Sequence, residues 1–231
     1  MKVYRRQNSP LTGGKSLKTT EMSAVILAGG GSTRMGKNKL LLPLGKMTVV
    51  ETLVNTLNGL FAECILVTDR PQDFHGLPVR IVPDLYKGIP KSTLRGIHGG
   101  LSASRHPYSF VVGGDMPFAV PELITYLCGL ADGYDLVIPW EDPHFHPLTA
   151  VYSRKLLPLI VEMLSAGHYK VGFLYKRIRS LYVDVSDLRA FDPQLWSLFN
   201  INTPEDYAKA LAHCKSMSRN KPTGQEDELI K

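Results

Sequence analysis

The stretch Ala24-Val25-Ile26-Leu27-Ala28-Gly29-Gly30-Gly31-Ser32-Thr33-Arg34-Met35-Gly36-Lys37-Asn38-Lys39 constrains the fold more than any other part of the sequence. It opens as a short, wholly apolar run, the pattern of a strand buried on both faces. It then breaks into three consecutive glycines, where the backbone can take positive φ and bring its amides close to a ligand. Successive amides in such a loop form a concave nest suited to an anion, and phosphate is the common one. Arg34, Lys37 and Lys39 add fixed positive charge. The segment therefore predicts a phosphate-handling loop at the end of a first buried strand.

Two familiar phosphate loops do not account for it. The dinucleotide fingerprint G-x-G-x-x-G requires glycine where Arg34 stands. The P-loop pattern holds from Gly31 to Lys37 and then fails, because Asn38 occupies the position where Ser or Thr would hold magnesium. The rest of the composition is that of a globular protein, with 44% hydrophobic and 21% charged residues in 231. No apolar run reaches the roughly 20 residues of a membrane helix, and the basic N-terminus has no apolar stretch behind it. The net charge of +6 is concentrated at the N-terminus, where residues 1–22 carry five basic residues against one acid. The body is then close to neutral and lacks the basic footprint of a nucleic-acid binder. Cys64, Cys128 and Cys214 are scattered and odd in number, so they read as packing residues in a reduced, cytoplasmic protein.

From Ser23 onward short apolar runs alternate with helical periodicity. Strands are predicted at about Ala24–Leu27, Cys64–Val67, Val79–Val82, Phe110–Val112, Leu136–Ile138, Leu148–Tyr152 and Leu181–Val185. Helices are predicted from Val49 to Leu60 and over Leu94–Ser102, Pro121–Leu130, Lys155–Ser165 and Val171–Arg177. A last helix opens at Thr203-Pro204-Glu205-Asp206 and runs to about Cys214, its cap, proline and acids all suited to a helix start. This alternation predicts a three-layer α/β sandwich of Rossmann-like kind, with a mainly parallel sheet between helices. The expected organisation is a flexible basic extension over 1–22, a single domain over 23–214 and a charged tail over 215–231.

In such sheets ligands bind beyond the carboxyl ends of the strands. Gly29, Gly30 and Gly31 follow the first strand, Thr68-Asp69-Arg70 the second, Asp84 the third and Asp115 the fourth. A cationic, amide-rich loop facing carboxylates able to carry magnesium is the minimum equipment for phosphoryl or nucleotidyl transfer.

Read at full length, Leu-Ala-Gly-Gly-x-Ser-x-Arg-Met-Gly-x-x-Lys resembles the signature of nucleotidyltransferases that move a nucleoside monophosphate from a nucleoside triphosphate to a phosphorylated acceptor. Within that superfamily the chain is most similar to the molybdenum cofactor guanylyltransferases (the MobA family), whose fold is of the nucleotide-diphospho-sugar transferase type. Gly113-Gly114-Asp115-Met116-Pro117 resembles the family's magnesium-binding Asp-Met-Pro motif, and Val82-Pro83-Asp84 its nucleotide-contacting aspartate. His146-Pro147-Leu148-Thr149-Ala150-Val151-Tyr152 and Asn200-Ile201-Asn202-Thr203-Pro204-Glu205-Asp206 resemble two later family segments, and all four motifs occur in the family's order. The chain departs from the pattern at Ser92-Thr93, where the family has Gly-Pro before Leu-x-Gly, and at Asn38, where it often has Asp.

The resemblance implies magnesium-dependent transfer of GMP from GTP to molybdopterin. Arg34, Lys39 and Asp115 are then catalytic, with Asp115 on the metal. Leu27, Ala28, Gly29, Gly30, Gly31, Lys39, Asp84, Leu94, Gly96 and Asp115 meet the nucleotide, and His146, Pro147, Asn200 and Asn202 the acceptor. Molybdoenzymes or other cofactor-biosynthesis proteins are implied as recipients, with no nucleic acid or membrane partner. The alternatives are a relative using CTP or a sugar phosphate, and a non-catalytic carrier of molybdopterin. His144 and His146 also form an H-x-H pair, a metal pattern only if a third ligand joins it.

Overall fold

The computed structural model describes residues 4–5, 16–29, 38–83, 90–175 and 177–219. Its strands are β1 (Tyr4–Arg5), β2 (Ser23–Leu27), β3 (Pro43–Leu44), β4 (Met47–Thr48), β5 (Glu63–Thr68), β6 (Arg80–Pro83), β7 (Tyr108–Gly113), β8 (Leu136–Glu141), β9 (His144–Phe145), β10 (Thr149–Ser153) and β11 (Ser180–Asp184). Its α-helices are α1 (Val49–Asn58), α2 (Thr93–Ala103), α3 (Pro121–Gly129), α4 (Leu157–Ser165), α5 (Gly172–Tyr175), α6 (Val185–Leu188) and α7 (Pro204–Arg219).

One sheet runs in the order β1-β11-β8-β10-β7-β2-β5-β6, with β9 added against β8. Its pairings are parallel except for β10, which runs antiparallel to β7 and β8, and β9, antiparallel to β8. The apolar runs are continuous because both faces are covered. Along β2, Ala24 and Ile26 enter one core with Val50, Leu53 and Leu57 of α1 and Leu123, Ile124 and Leu127 of α3. Val25 enters the other, with Leu94, Ile97 and Leu101 of α2 and Ile160 and Met163 of α4. The period-two alternation of the strand thus sorts neighbouring residues into opposite layers.

Helix α2 lies unusually close to the sheet, since a Cβ placed on Gly100 would collide with the side chain of Val25. Helix α1 begins in a capping box, with Thr48 Oγ1 accepting from Glu51 N–H at 3.3 Å and Glu51 Oε2 accepting from Thr48 N–H at 2.6 Å.

Two expected boundaries move. The basic extension is expected over 1–22, yet Leu17 packs on the core, Thr19 and Met22 are buried, and Tyr4–Arg5 pair with Leu181–Tyr182 of β11. Met22, 1% exposed, supplies the apolar surface that anchors this segment. At the other end α7 continues to Arg219, five residues past the predicted stop at Cys214. Ala210 joins Leu44, Val49, Phe118 and Ile201 in a third small core, against which Leu211 and Cys214 also pack, while Lys215, Ser216 and Met217 beyond them are exposed.

Candidate active site

The order of strands marks where a site is expected. From β2 the chain adds β5 and β6 on one side, then crosses to add β7 on the other, so the direction of winding reverses between β2 and β7. The crevice beyond the carboxyl ends at such a reversal is the ligand position in open α/β sheets. Leu27 pairs with Gly113 in register there, and Gly114 N–H donates to the Leu27 carbonyl at 3.0 Å. Ala28 N–H donates to the Val67 carbonyl at 2.9 Å, which fixes the exit of β2 against β5 as well. Gly29 follows, exposed, with open space where a side chain would sit. Gly30, Gly31, Arg34 and Asp84 lie outside the described residues.

Asp115 comes two residues after β7. A Cβ on Gly113 would approach Asp115 Oδ1 to 2.7 Å, so glycine at that position leaves room for the carboxylate. Lys39 begins a short 3-10 helix, Lys39–Leu41. Its Nζ lies 2.5 Å from Asp115 Oδ2 and donates to Asn202 Oδ1 at 2.9 Å. The two partners in the ion pair are 17% and 20% exposed, mostly covered by protein but not sealed from solvent. Residues 39, 115 and 202, distant in sequence, therefore meet at one ammonium group.

The environment of Lys39 explains Asn38. The Asn38 side chain caps the 3-10 helix by accepting from Leu40 N–H at 3.2 Å, and its amide donates to Asp73 Oδ2 at 3.1 Å. An aspartate could make the first bond and would repel Asp73 in place of the second. Ser92 is explained similarly. It is the N-cap of α2, its hydroxyl accepting from Arg95 N–H at 3.2 Å, with Thr93 at the first helical position. Glycine is tolerated at N-caps and proline favoured at the next position. Ser-Thr and Gly-Pro are thus two solutions to one helix start. Leu94 is fully buried in the core, and the position of a Cβ on Gly96 faces Leu27. Both would meet a nucleotide only through backbone atoms.

His146 and Pro147 lie past the carboxyl end of β7, because β10 pairs antiparallel with Thr149 opposite Val112. His146 N–H donates to the Pro139 carbonyl at 2.9 Å, and its carbonyl accepts from Thr149 N–H at 3.1 Å. Its Nε2 stands 3.6 Å from Glu141 Oε1, beyond hydrogen-bond distance, and is buried. Burial pushes the imidazole below its ordinary pKa, partly offset by the Glu141 charge. The fully buried Tyr152 donates its hydroxyl to the Pro147 carbonyl at 2.9 Å. Part of the His-Pro-Leu-x-Ala-x-Tyr segment is therefore architecture, holding the turn that carries His146. His144 is exposed, and among the described residues no group of three or more His, Cys, Asp or Glu side chains could hold a metal.

Asn200 and Asn202 are both exposed, and Asn202 reaches Lys39. Ile201 N–H donates to the Asp115 carbonyl at 2.9 Å and brings this segment to the end of β7. Sequence reasoning missed the ion pair of Lys91 with Asp69, which joins the end of β5 to the start of α2. The Lys91 hydrogen bond is the main influence holding the Asp69 carboxyl below its usual range. It also missed the Asn38–Asp73 contact. Neither has a local signal, since each joins segments more than twenty residues apart. Burial raises the thiols of Cys64, to about 11, and Cys128, as expected of packing residues.

Comparison with known proteins places this geometry in a family. Residues 24–181 match the MobA-like NTP transferase domain. The chain is 38% identical over 205 residues to a probable molybdenum cofactor guanylyltransferase of Pelotomaculum thermopropionicum, covering 89% of this chain and 97% of the relative. It is 34% identical over 197 residues to the molybdenum cofactor guanylyltransferase of Desulfosudis oleivorans, with 84% and 96% covered. The crystal structure of molybdopterin-guanine dinucleotide biosynthesis protein A from Archaeoglobus fulgidus superposes with a TM-score of 0.74 at 29% identity, over 85% of this chain and 100% of that one. The match runs from the first buried strand to the start of β11 and takes in both sides of the crevice: the chain belongs to the MobA-like NTP transferases and is a nucleotidyltransferase.

Proposed function

We propose that this protein transfers GMP from GTP to molybdopterin, giving molybdopterin guanine dinucleotide and pyrophosphate, in the cytoplasm. The observation that carries the reading is the meeting of Lys39 Nζ with Asp115 Oδ2 at 2.5 Å and Asn202 Oδ1 at 2.9 Å, at the winding reversal of the sheet. The names of the relatives just described supply guanine and molybdopterin as the substrates to test first.

A phosphate oxygen of the acceptor attacks the α-phosphorus of the nucleotide. The new P–O bond forms as the α–β anhydride bond breaks, and pyrophosphate leaves with the electron pair. The attacking oxygen is already ionised, so no general base is required. Positioning and charge stabilisation remain for the protein to supply. The Leu27, Ala28 and Gly29 backbone, with Gly30 and Gly31, would wrap the phosphates, and Lys39 and Arg34 would neutralise them. Asp84 and the backbone of Leu94 and Gly96 would seat the nucleoside. His146, Pro147, Asn200 and Asn202 would line the acceptor side, His146 as a neutral imidazole at pH 7.

A single carboxylate at a strand end suits Mg2+, which is held by one or two carboxylates together with substrate phosphates and water. Asp115 is the residue that would hold it. The metal, when bound, would offset negative charge on the phosphates in the transition state.

The test is incubation with each of the four nucleoside triphosphates, Mg2+ and molybdopterin, followed by identification of the dinucleotide. Guanine dinucleotide with release of pyrophosphate is expected. Cytosine dinucleotide would replace the substrate assignment, and no pyrophosphate with any nucleotide would favour a carrier.

A further inference from the structure

The first turn of α7 carries one more hydrogen bond than a helix start needs. Thr203 and Asp206 form a reciprocal cap, with Thr203 Oγ1 accepting from Asp206 N–H at 3.1 Å and Asp206 Oδ2 accepting from Thr203 N–H at 3.0 Å. That exchange suffices to close the helix end. The same Asp206 Oδ2 also accepts from the backbone N–H of Asn202 at 3.1 Å. Asn202 lies outside the helix, and it is the residue whose side chain meets Lys39.

The surrounding contacts leave Asp206 at the centre of a short chain of fixed points. On one side, Ile201 is fully buried and its N–H is bonded to the Asp115 carbonyl. On the other, the Tyr207 hydroxyl donates to the Pro43 carbonyl at 2.5 Å and ties the same helical turn to the segment that carries Lys39. Between them Asn202 is exposed, and its backbone N–H has the Asp206 carboxylate as its partner. A charged acceptor makes a stronger bond than a neutral one, so this contact limits where the Asn202 side chain can point.

We propose that Asp206 is a positioning residue for the acceptor subsite: it holds the Asn202 backbone so that the carboxamide stays beside Lys39, at the boundary between the nucleotide and acceptor sides. The assignment to the acceptor rests on the function proposed above. The positioning itself rests on the hydrogen bonds alone. Asp206 touches no substrate in this scheme and acts through Asn202.

Two variants of the full chain separate positioning from helix capping. Thr203→Ala removes the hydroxyl half of the cap and leaves the Asp206–Asn202 bond. Asp206→Ala removes the carboxylate half of the cap together with the Asp206–Asn202 bond, and leaves Thr203 Oγ1 accepting from the N–H of residue 206. With molybdopterin as acceptor, Asp206→Ala is expected to raise the acceptor KM roughly tenfold, the order that follows from losing one charge-assisted hydrogen bond. GTP affinity, measured without acceptor, is expected to stay within about twofold. Thr203→Ala is expected to leave the acceptor KM unchanged, and Asp206→Asn, which keeps an acceptor oxygen, to recover most of the loss.

Amide hydrogen exchange at Asn202 gives a readout independent of any substrate. It is expected to accelerate in Asp206→Ala and to remain slow in Thr203→Ala. Unchanged Asn202 exchange in Asp206→Ala would overturn the positioning role, whatever the enzyme transfers. Accelerated exchange with an unaltered acceptor KM would overturn its link to the acceptor subsite. Failure of the wild-type chain to form a molybdopterin dinucleotide would instead count against the proposed function, and the exchange result would still stand or fall alone.

Discussion

At the scale of single residues, the site depends on small accommodations around one carboxylate. Asp115 is reached by Lys39, spared a steric conflict by Gly113, and joined through its carbonyl to Ile201. Asp115→Ala is expected to lower turnover by roughly two orders of magnitude or more, as loss of transition-state charge stabilisation does. The protein should remain folded, because the Lys39 ammonium keeps Asn202 Oδ1 as a partner when the carboxylate is removed. Steady-state rates together with a thermal melt check both halves. Gly113→Ala is expected to lower activity as well, since the new methyl would force the Asp115 side chain to turn away; restored activity at high Mg2+ would identify the carboxylate as the group displaced. Lys39, Asp115 and Asn202 stand out in the sequence because each lies in a segment that resembles a family motif. Their meeting at one ammonium does not, since 76 and 163 residues separate Lys39 from its two partners. Asn38 reads as a departure for the same reason, since its partner Asp73 lies 35 residues away. Ser92 bonds only three residues on and departs from the resembled pattern while keeping a helix-cap signal.

At the scale of elements, two helices carry most of what the site requires. Helix α2 approaches β2 so closely that Gly100→Ala should cost about 1–3 kcal/mol by overpacking against Val25, read as a lower midpoint in chemical denaturation. Ser92→Ala should cost about 1 kcal/mol through loss of the cap. Helix α7 is anchored differently, by aromatic packing. The His213 ring stacks on Trp196 with centroids 3.8 Å apart and meets Phe118 edge-on at 4.8 Å. Burial in this cluster lowers the His213 pKa, with the Asp192 charge acting in the opposite sense. Folding therefore favours the neutral ring. Its contribution to stability is complete above the unfolded-state value of about 6.5 and is lost as pH falls through the depressed folded value. His213→Phe should flatten the fall in melting temperature between pH 7.5 and 5.5, and an unchanged slope would assign it to other groups, His146 among them. The start of α7 was legible from Thr203-Pro204-Glu205-Asp206. Its full length was not, because the residues after Cys214 carry no apolar period that would mark them as helix.

For the molecule as a whole, the sequence pattern carried the layered architecture. Short runs buried on both sides, alternating with helical periods, leave few arrangements other than helices on two faces of a sheet. The antiparallel insertion of β10 had no signal in its residues, since a strand enclosed on both faces reads the same in either direction. Yet that reversal brings His146 and Pro147 to the carboxyl end of β7, the same end of the sheet as Asp115. The account's central claim is that one crevice gathers a glycine loop, Lys39 and Asp115 around a metal-bound triphosphate. Calorimetric titration of GTP with and without Mg2+, in the wild-type chain and in Asp115→Ala, tests it most directly. Binding tightened by Mg2+ in the wild type and insensitive to Mg2+ in the variant is the predicted result; an equal Mg2+ effect in both proteins would contradict it.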